Sequence, residues 1–301
     1  MTAWHLEEEL ACALHDRRTL SLGTGVGSLI LKGVEMAIIT ISRGTYSGGR
    51  ILAGCLSEQL GYRLLSREQL LQSAAKRFQA TEDQLESALL HRPGFLEGRG
   101  LGKLHYVYCV QAELARAVQA DNVVYHGQAG HLLLKGVPHH MRVRVVANME
   151  YRIAAAVERS NLKREKAIEY IRELDEERDK WVKWVYGMDR NDPLTYDVTV
   201  NLERISLDSA CVMVAESAQR DFETTPESQQ IMDDLVLASE IRATIGLDPN
   251  IVDDRIEVEV SSGVVTITGT VRSLVDADRV RELVRAMPGV KDIDSQMGTR
   301  W

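Results

Sequence analysis

The chain is poor in aromatic residues, at 5% of 301, and has only 6 prolines, so long proline-rich or disordered tracts are not expected. It has no basic surplus: 36 lysines and arginines face 44 aspartates and glutamates, a net charge of −8. A general nucleic-acid binder normally shows the opposite balance or a basic face, so nucleic acid is not an expected partner. Phosphates on a small molecule stay open, because a few local donors hold them without help from bulk charge. No apolar run reaches the length of a bilayer span. The opening Met1-Thr-Ala-Trp-His-Leu-Glu-Glu-Glu9 is acidic where an export signal would be basic. The 4 cysteines (Cys12, Cys55, Cys109, Cys211) lie far apart with no C-x-x-C pair, and they read as reduced, mostly buried thiols. The expected compartment is the cytoplasm.

What is present is a 45% hydrophobic chain, ample for two cores. Residues 1–35 read as a peripheral N-terminal extension, whose patch Gly23-Thr-Gly-Val-Gly27 follows no strand and opens no clear helix. From Met36 strands and helices alternate. Ala37–Ile41 is a β-branched run of the kind buried in a parallel sheet, and Arg50–Leu60 has a helical apolar stripe closed by Gly61. Helices follow over Ser66–Phe78, Thr81–Leu90 and Leu104–Gln119, then strands over Asn122–Tyr125 and Met141–Val146. Met149–Glu158 and the charged stretch Arg164–Tyr186 read as helices, Tyr196–Val200 as a strand and Ser206–Ala218 as a helix. This alternation predicts an α/β fold, a parallel sheet covered on both faces. The pattern pauses around Thr224–Ser228. Beyond it, a helix over Leu235–Ile245, a hairpin turning at Ser262-Gly263, a helix over Asp276–Met287 and a last strand from Gly289 predict a small α-β-β-α-β domain. The division is 36–222, a linker at 223–232, and 233–298.

The chemistry concentrates in the first strand-to-helix turn. Gly44-Thr45-Tyr46-Ser47-Gly48-Gly49-Arg50-Ile51 has the spacing of a phosphate-binding loop, G-x-x-x-x-G-K-[S/T], with Arg50 for lysine and Ile51 for the hydroxyl residue. Glycines let backbone amides curl around a phosphate, and the helix start adds favourable partial charge. Arg50 supplies a cation and a fork of donors. Ile51 cannot ligate Mg²⁺, which leaves the Thr45 or Ser47 hydroxyl, or water. The alternative is a glycine turn that binds nothing. Among the histidines, His126, His131, His139 and His140 have no carboxylate or cysteine at a familiar ligand spacing, so no resident metal is expected.

Ile39-Thr-Ile-Ser-Arg43, Ser47-Gly-Gly-Arg50, Leu60-Gly-Tyr62, Val123-Val-Tyr-His-Gly127, Arg142-Val-Arg-Val-Val146, Glu150 with Arg152, Leu174-Asp-Glu-Glu-Arg178 and Tyr196-Asp197 follow one another in this order. Together they resemble the cytidylate-kinase-like proteins, a branch of the nucleoside monophosphate kinases, over about Met36–Gln219. The resemblance implies a three-layer P-loop core that transfers the γ-phosphate of ATP, with Mg²⁺, to a nucleoside monophosphate. It implies that Gly44, Thr45, Ser47, Gly48, Gly49, Arg50 and Ile51 form the donor-phosphate loop. Arg178 and Arg172 become lid residues, with Asp175 placed to orient either. The chain departs from its relatives at Gly127-Gln128, where they carry an acceptor-gripping arginine. Arg92, Arg99 and Lys103 are candidates to replace it. The second reading is a degenerate kinase that binds nucleotide and acts as a sensor or scaffold.

The tail resembles a BON domain through Ile256-Glu-Val-Glu-Val260, Val264-Val-Thr-Ile-Thr-Gly-Thr-Val271, Ala277, Val280, Val284 and Pro288-Gly-Val290. The resemblance implies phospholipid contact or ligand sensing. From Gln230 onward 8 basic residues face 13 acidic ones, a net of −5 that anionic headgroups would repel. A regulatory or oligomerising module that recruits a protein partner or a second copy is therefore preferred over a lipid-associated regulator.

Overall fold

The computed structural model describes residues 37–91, 101–251 and 256–299. The extension 1–35 and the loop arginines Arg92 and Arg99 lie outside the described residues. Five strands, β1 (Ile38–Arg43), β2 (Arg63–Ser66), β3 (Val123–His126), β4 (His140–Val146) and β5 (Val198–Asn201), form a parallel sheet in the order β2-β3-β1-β4-β5. Its helices are α1 (Gly49–Leu60), α2 (Arg67–Phe78), α3 (Glu82–Leu90), α4 (Leu101–Val118) and the short α5 (Gly130–Leu133). They continue with α6 (Met149–Ser160), α7 (Arg164–Tyr186) and α8 (Leu207–Asp221).

Strand periodicity assigns the layers. Ile39 and Ile41 point with Val124, Val143 and Val145 into a core closed by α1 and α8. Ile38, Val123 and Tyr125 point the other way, into a core shared with α2, α3, α4 and α7. Central β1 pairs with β3 through Ile38–Ile41 and with β4 through Ile38–Arg43. The chain leaves β1 toward one side and returns for β4 on the other, so a crevice opens beyond the carboxyl end of β1.

Three expectations change. No strand was expected between Gly61 and Ser66, yet β2 forms the sheet edge there; it is short and exposes Arg63 and Leu64, so it lacks an apolar signature. Ser66 instead caps α2, accepting from the Gln69 amide. The cysteines also differ: Cys55 of α1 and Cys211 of α8 are joined, with Cα atoms 6.2 Å apart, while Cys109 is a buried free thiol. A separation of 156 residues gives no sequence sign of that pairing.

The pause between the units is also shorter than expected. Thr225 caps a 22-residue helix, α9 (Pro226–Leu247), that takes up most of the 223–232 segment. Beyond it β6 (Glu257–Ser261) and β7 (Val264–Val271) pair antiparallel, α10 (Leu274–Arg285) crosses over, and β8 (Asp292–Thr299) adds parallel to β7. Helix α9 serves both cores. Met232, Val236 and Ala243 join the α2–α4–α7 cluster, whereas Ile241 and Ile245 pack with Val265, Ile267 and Val280. A helix buried on two sides shows little amphipathicity, and so its first turns resemble a linker in sequence. Among the described residues no helix is long and apolar enough to cross a membrane.

Candidate active site

The loop after β1 is shaped by its own bonds. The Ser47 amide donates to the Gly44 carbonyl at 3.2 Å, and the Ser47 hydroxyl reaches the carbonyls of Gly44 (2.9 Å) and Val145 (3.2 Å). Gly48 precedes α1 with φ 95°, a left-handed conformation that side chains resist, and a Cβ there would press on Leu202 at 2.8 Å. The Ile51 amide is spent on the Gly48 carbonyl at 3.0 Å. The amides of Gly49 and Arg50, at the start of α1, have no acceptor among the described residues. Such a helix start favours an anion.

Helices α6 and α7 close over this loop. Arg152 of α6 donates from Nε to the Thr45 carbonyl at 2.7 Å, and its guanidinium lies 3.3 Å from where a Gly44 Cβ would stand. Arg178 of α7 donates to the Thr45 hydroxyl at 2.7 Å. The Asp175 carboxylate accepts from the Thr45 amide (3.2 Å) and hydroxyl (3.0 Å), and it pairs with Arg152 and Arg178. Arg190, from the segment after α7, comes within 4.0 Å of it while donating to Asp179 at 2.5 Å. Burial would raise the Asp175 pKa, but Arg152, Arg178 and Arg190 outweigh it and hold the carboxylate below its ordinary range.

Beyond the loop the crevice is polar. It has about 570 Å³ of open space, solvent included, between Arg43, Arg67, His126, Gln128, Arg178 and Arg190. Arg43 donates to Nδ1 of His126 at 3.3 Å, so that ring is the neutral Nε2–H tautomer. Burial and the Arg43 charge push the His126 pKa down to about 3. Burial, His140 and Arg144 do the same for His131, also to about 3. Gln128 Nε2 and His131 Nδ1 are buried with no hydrogen-bond partner among the described residues. Arg144 donates to Ser42 at 3.1 Å and to Asn191 at 3.1 Å, and lies 5.4 Å from the centre of the Tyr196 ring.

The structure therefore brings Gly44, Thr45, Ser47, Gly48, Gly49, Asp175 and Arg178 together, as the sequence suggests. Arg50 is half-buried at the start of α1, makes no hydrogen bond among the described residues and contributes positive potential at His126. Ile51 is 41% exposed. Arg172 is not part of the cluster: it faces solvent on α7, because six residues of helix turn it about 120° away from Arg178. Arg152 and Arg190 complete the site. Arg152 is legible only as a fragment of the family pattern, and Arg190 carries no sequence signal. The crevice does have one sign: Arg144 interrupts the apolar run of β4, pairs in register with Ser42 and bonds its hydroxyl at the crevice wall. The loop does not suit a protein-held Mg²⁺, since position 51 offers no oxygen and the Thr45 and Ser47 hydroxyls are committed within the protein.

A five-stranded parallel sheet flanked by helices, with a glycine turn between its central strand and the following helix, is the P-loop kinase fold. The cytidylate kinase-like family model matches residues 38–204 and the BON domain model matches 233–300. The chain belongs to the cytidylate kinase-like family and carries a C-terminal BON domain. The BON segment is 33% identical over 67 residues to osmotically-inducible protein Y of Escherichia coli (strain K12), a match covering 22% of this chain and 33% of that protein. The chain thus spans about a third of that curated relative's length. An uncharacterized protein from Eubacterium ventriosum is similar in structure at a TM-score of 0.48 and 18% identity, covering 61% of this chain and 99% of that one. A shikimate kinase from Bacteroides thetaiotaomicron gives 0.39 and 11%, with coverages of 61% and 99%. Family membership rests on the family model, not on these likenesses.

Proposed function

We propose that the N-terminal unit is a nucleotide-dependent phosphotransferase that binds ATP and passes its γ-phosphoryl group to a cytidylate-like nucleoside monophosphate. The observation that carries this reading is the convergence on one loop of unclaimed helix-start amides and the arginines Arg152, Arg178 and Arg190. An acceptor phosphate oxygen forms the new P–O bond while the bond from the γ-phosphorus to its bridging oxygen breaks, and ADP departs with that oxygen. This reaction asks for positioning and charge neutralisation. Gly44, Thr45, Ser47, Gly48 and Gly49 shape the donor cradle, Arg50 adds a cation, and Arg178 faces the transferring group. Asp175 positions Arg178, and Arg172 leaves the set. Magnesium accompanying ATP would be held by phosphate oxygens and water. The BON domain, within the proposed division 36–222, 223–232 and 233–298, modulates the first unit or recruits a partner, and the compartment is the ATP-containing cytoplasm.

Titration calorimetry with ATP tests the cradle: Arg50→Ala should weaken binding about tenfold, in line with loss of one charge-assisted contact. Equal affinity in both proteins counts against the reading. Ile51 and Gln128 favour a second reading, a sensor that binds nucleotide without transferring phosphate. A coupled assay across CMP, dCMP, UMP and AMP separates the two, since the sensor gives no ADP with any acceptor.

A further inference from the structure

Thr45 is fully buried, and both its amide and its hydroxyl point at one carboxylate. That carboxylate, Asp175, belongs to α7, 130 residues further along the chain. Every donor around it is of the kind a phosphate would use: a loop amide at 3.2 Å, a hydroxyl at 3.0 Å, Arg178 at 3.3 Å, Arg152 in direct contact, and Arg190 at 4.0 Å. Asp179 is the other acidic group facing the cluster, and it is taken by Arg190 at 2.5 Å. Without Asp175, Arg152 and Arg178 would lose the carboxylate they pair with while Asp179 stays with Arg190, an arrangement stabilised by a bound anion. Arg152 and Arg178 also bond Thr45 itself, and the neighbouring Tyr46 bonds Ser160 of α6 and packs against Tyr170 of α7, so loop and lid close on each other through these two loop residues.

We infer that Asp175 is a built-in anion that occupies the phosphate-facing side of the loop and must be displaced before a polyphosphate can bind. The inference rests on the reading of this loop as a phosphate cradle and adds its regulation. Asp175 is a short side chain midway along α7, so its departure requires the α7 segment carrying Asp175 and Arg178 to lift or turn. The same movement frees Arg152, Arg178 and Arg190 to receive the incoming phosphate. Apparent affinity is thereby lowered by the cost of opening, as for any ligand that binds only a minor conformer.

The test uses the full chain, the Asp175→Asn variant, which keeps the shape and removes the charge, and the smaller Asp175→Ser. Pyrophosphate and ATP are titrated calorimetrically into each. Pyrophosphate affinity at least tenfold tighter in the variants supports the inference, and equal or weaker affinity overturns it. Variants that gain pyrophosphate binding while no protein binds ATP would leave the plug standing and remove the kinase reading. Equally tight ATP binding in parent and variants would do the reverse. The parent chain gives an independent measurement should the variants not fold. Hydrogen exchange at the Thr45 amide should be slow without ligand, and exchange as fast as in an open loop contradicts the inference.

Discussion

His126, His131 and His140 are buried beside arginines, and their pKa values fall from 6.5 to about 3, 3 and 4. Below pH 6.5 an unfolded chain binds protons that the folded chain refuses. Stability is therefore complete above pH 6.5 and declines as the pH drops toward 4. The expected loss is about 1.4 kcal/mol per histidine per pH unit across that window. Urea midpoints at pH 7.5 and 5.5 check it: the midpoint should fall at the lower pH, and His131→Gln should flatten the difference. Asp175, held low by its arginines, gives its own loss only below about pH 4, so the two windows separate. At this scale the loop glycines and Thr45 were legible as one cluster because their spacing along a single turn is local, whereas Asp175 and Arg178 entered as candidates through the family resemblance. Arg172 misled because it shares the helix but not the face. Arg190 was invisible because nothing near Met188-Asp-Arg190 marks where the chain returns after α7.

Helix α1 begins at the phosphate loop and is tied to α8 by the Cys55–Cys211 pair. A cross-link closing so long a loop typically contributes about 2–4 kcal/mol. Reduction, or a Cys55→Ser substitution, should lower the melting temperature by several degrees. Peptide mapping without reductant should recover Cys55 linked to Cys211, with Cys109 free; two unlinked thiols and an unchanged melting temperature would contradict this. Element boundaries were mostly legible through their caps. Gly61 ends α1 with φ 68°, and Thr81 opens α3 by accepting from the Gln84 amide. The elements that were missed, β2 and the first turns of α9, depend on neighbours. One is an exposed edge strand and the other a helix buried on two sides, so neither keeps a single apolar face.

Across the whole molecule α9 makes the two units interdependent. Gln119 donates to Asp233 at 2.9 Å, Arg77 pairs with Glu240 at 2.5 Å, and Arg242 lies 4.2 Å over the Tyr108 ring. A chain cut after Phe222 would expose the apolar surface that Met232 and Val236 cover, and should unfold at lower denaturant or aggregate. In the full chain Met232→Ala should cost about 2–4 kcal/mol. Equilibrium unfolding monitored by near- and far-UV circular dichroism checks both, and a stable, monomeric 1–222 chain would contradict the coupling. By itself the sequence determined the α/β class, the two-part organisation, the loop and most elements, because hydrophobic period, caps and glycine spacing act over a few residues. Only the tertiary structure decided which arginines meet, that Asp175 sits against Thr45, that Cys55 finds Cys211, and that α9 belongs to both cores. Each of these joins groups brought together by the sheet order and the packing of distant helices, and no local pattern encodes such a distance.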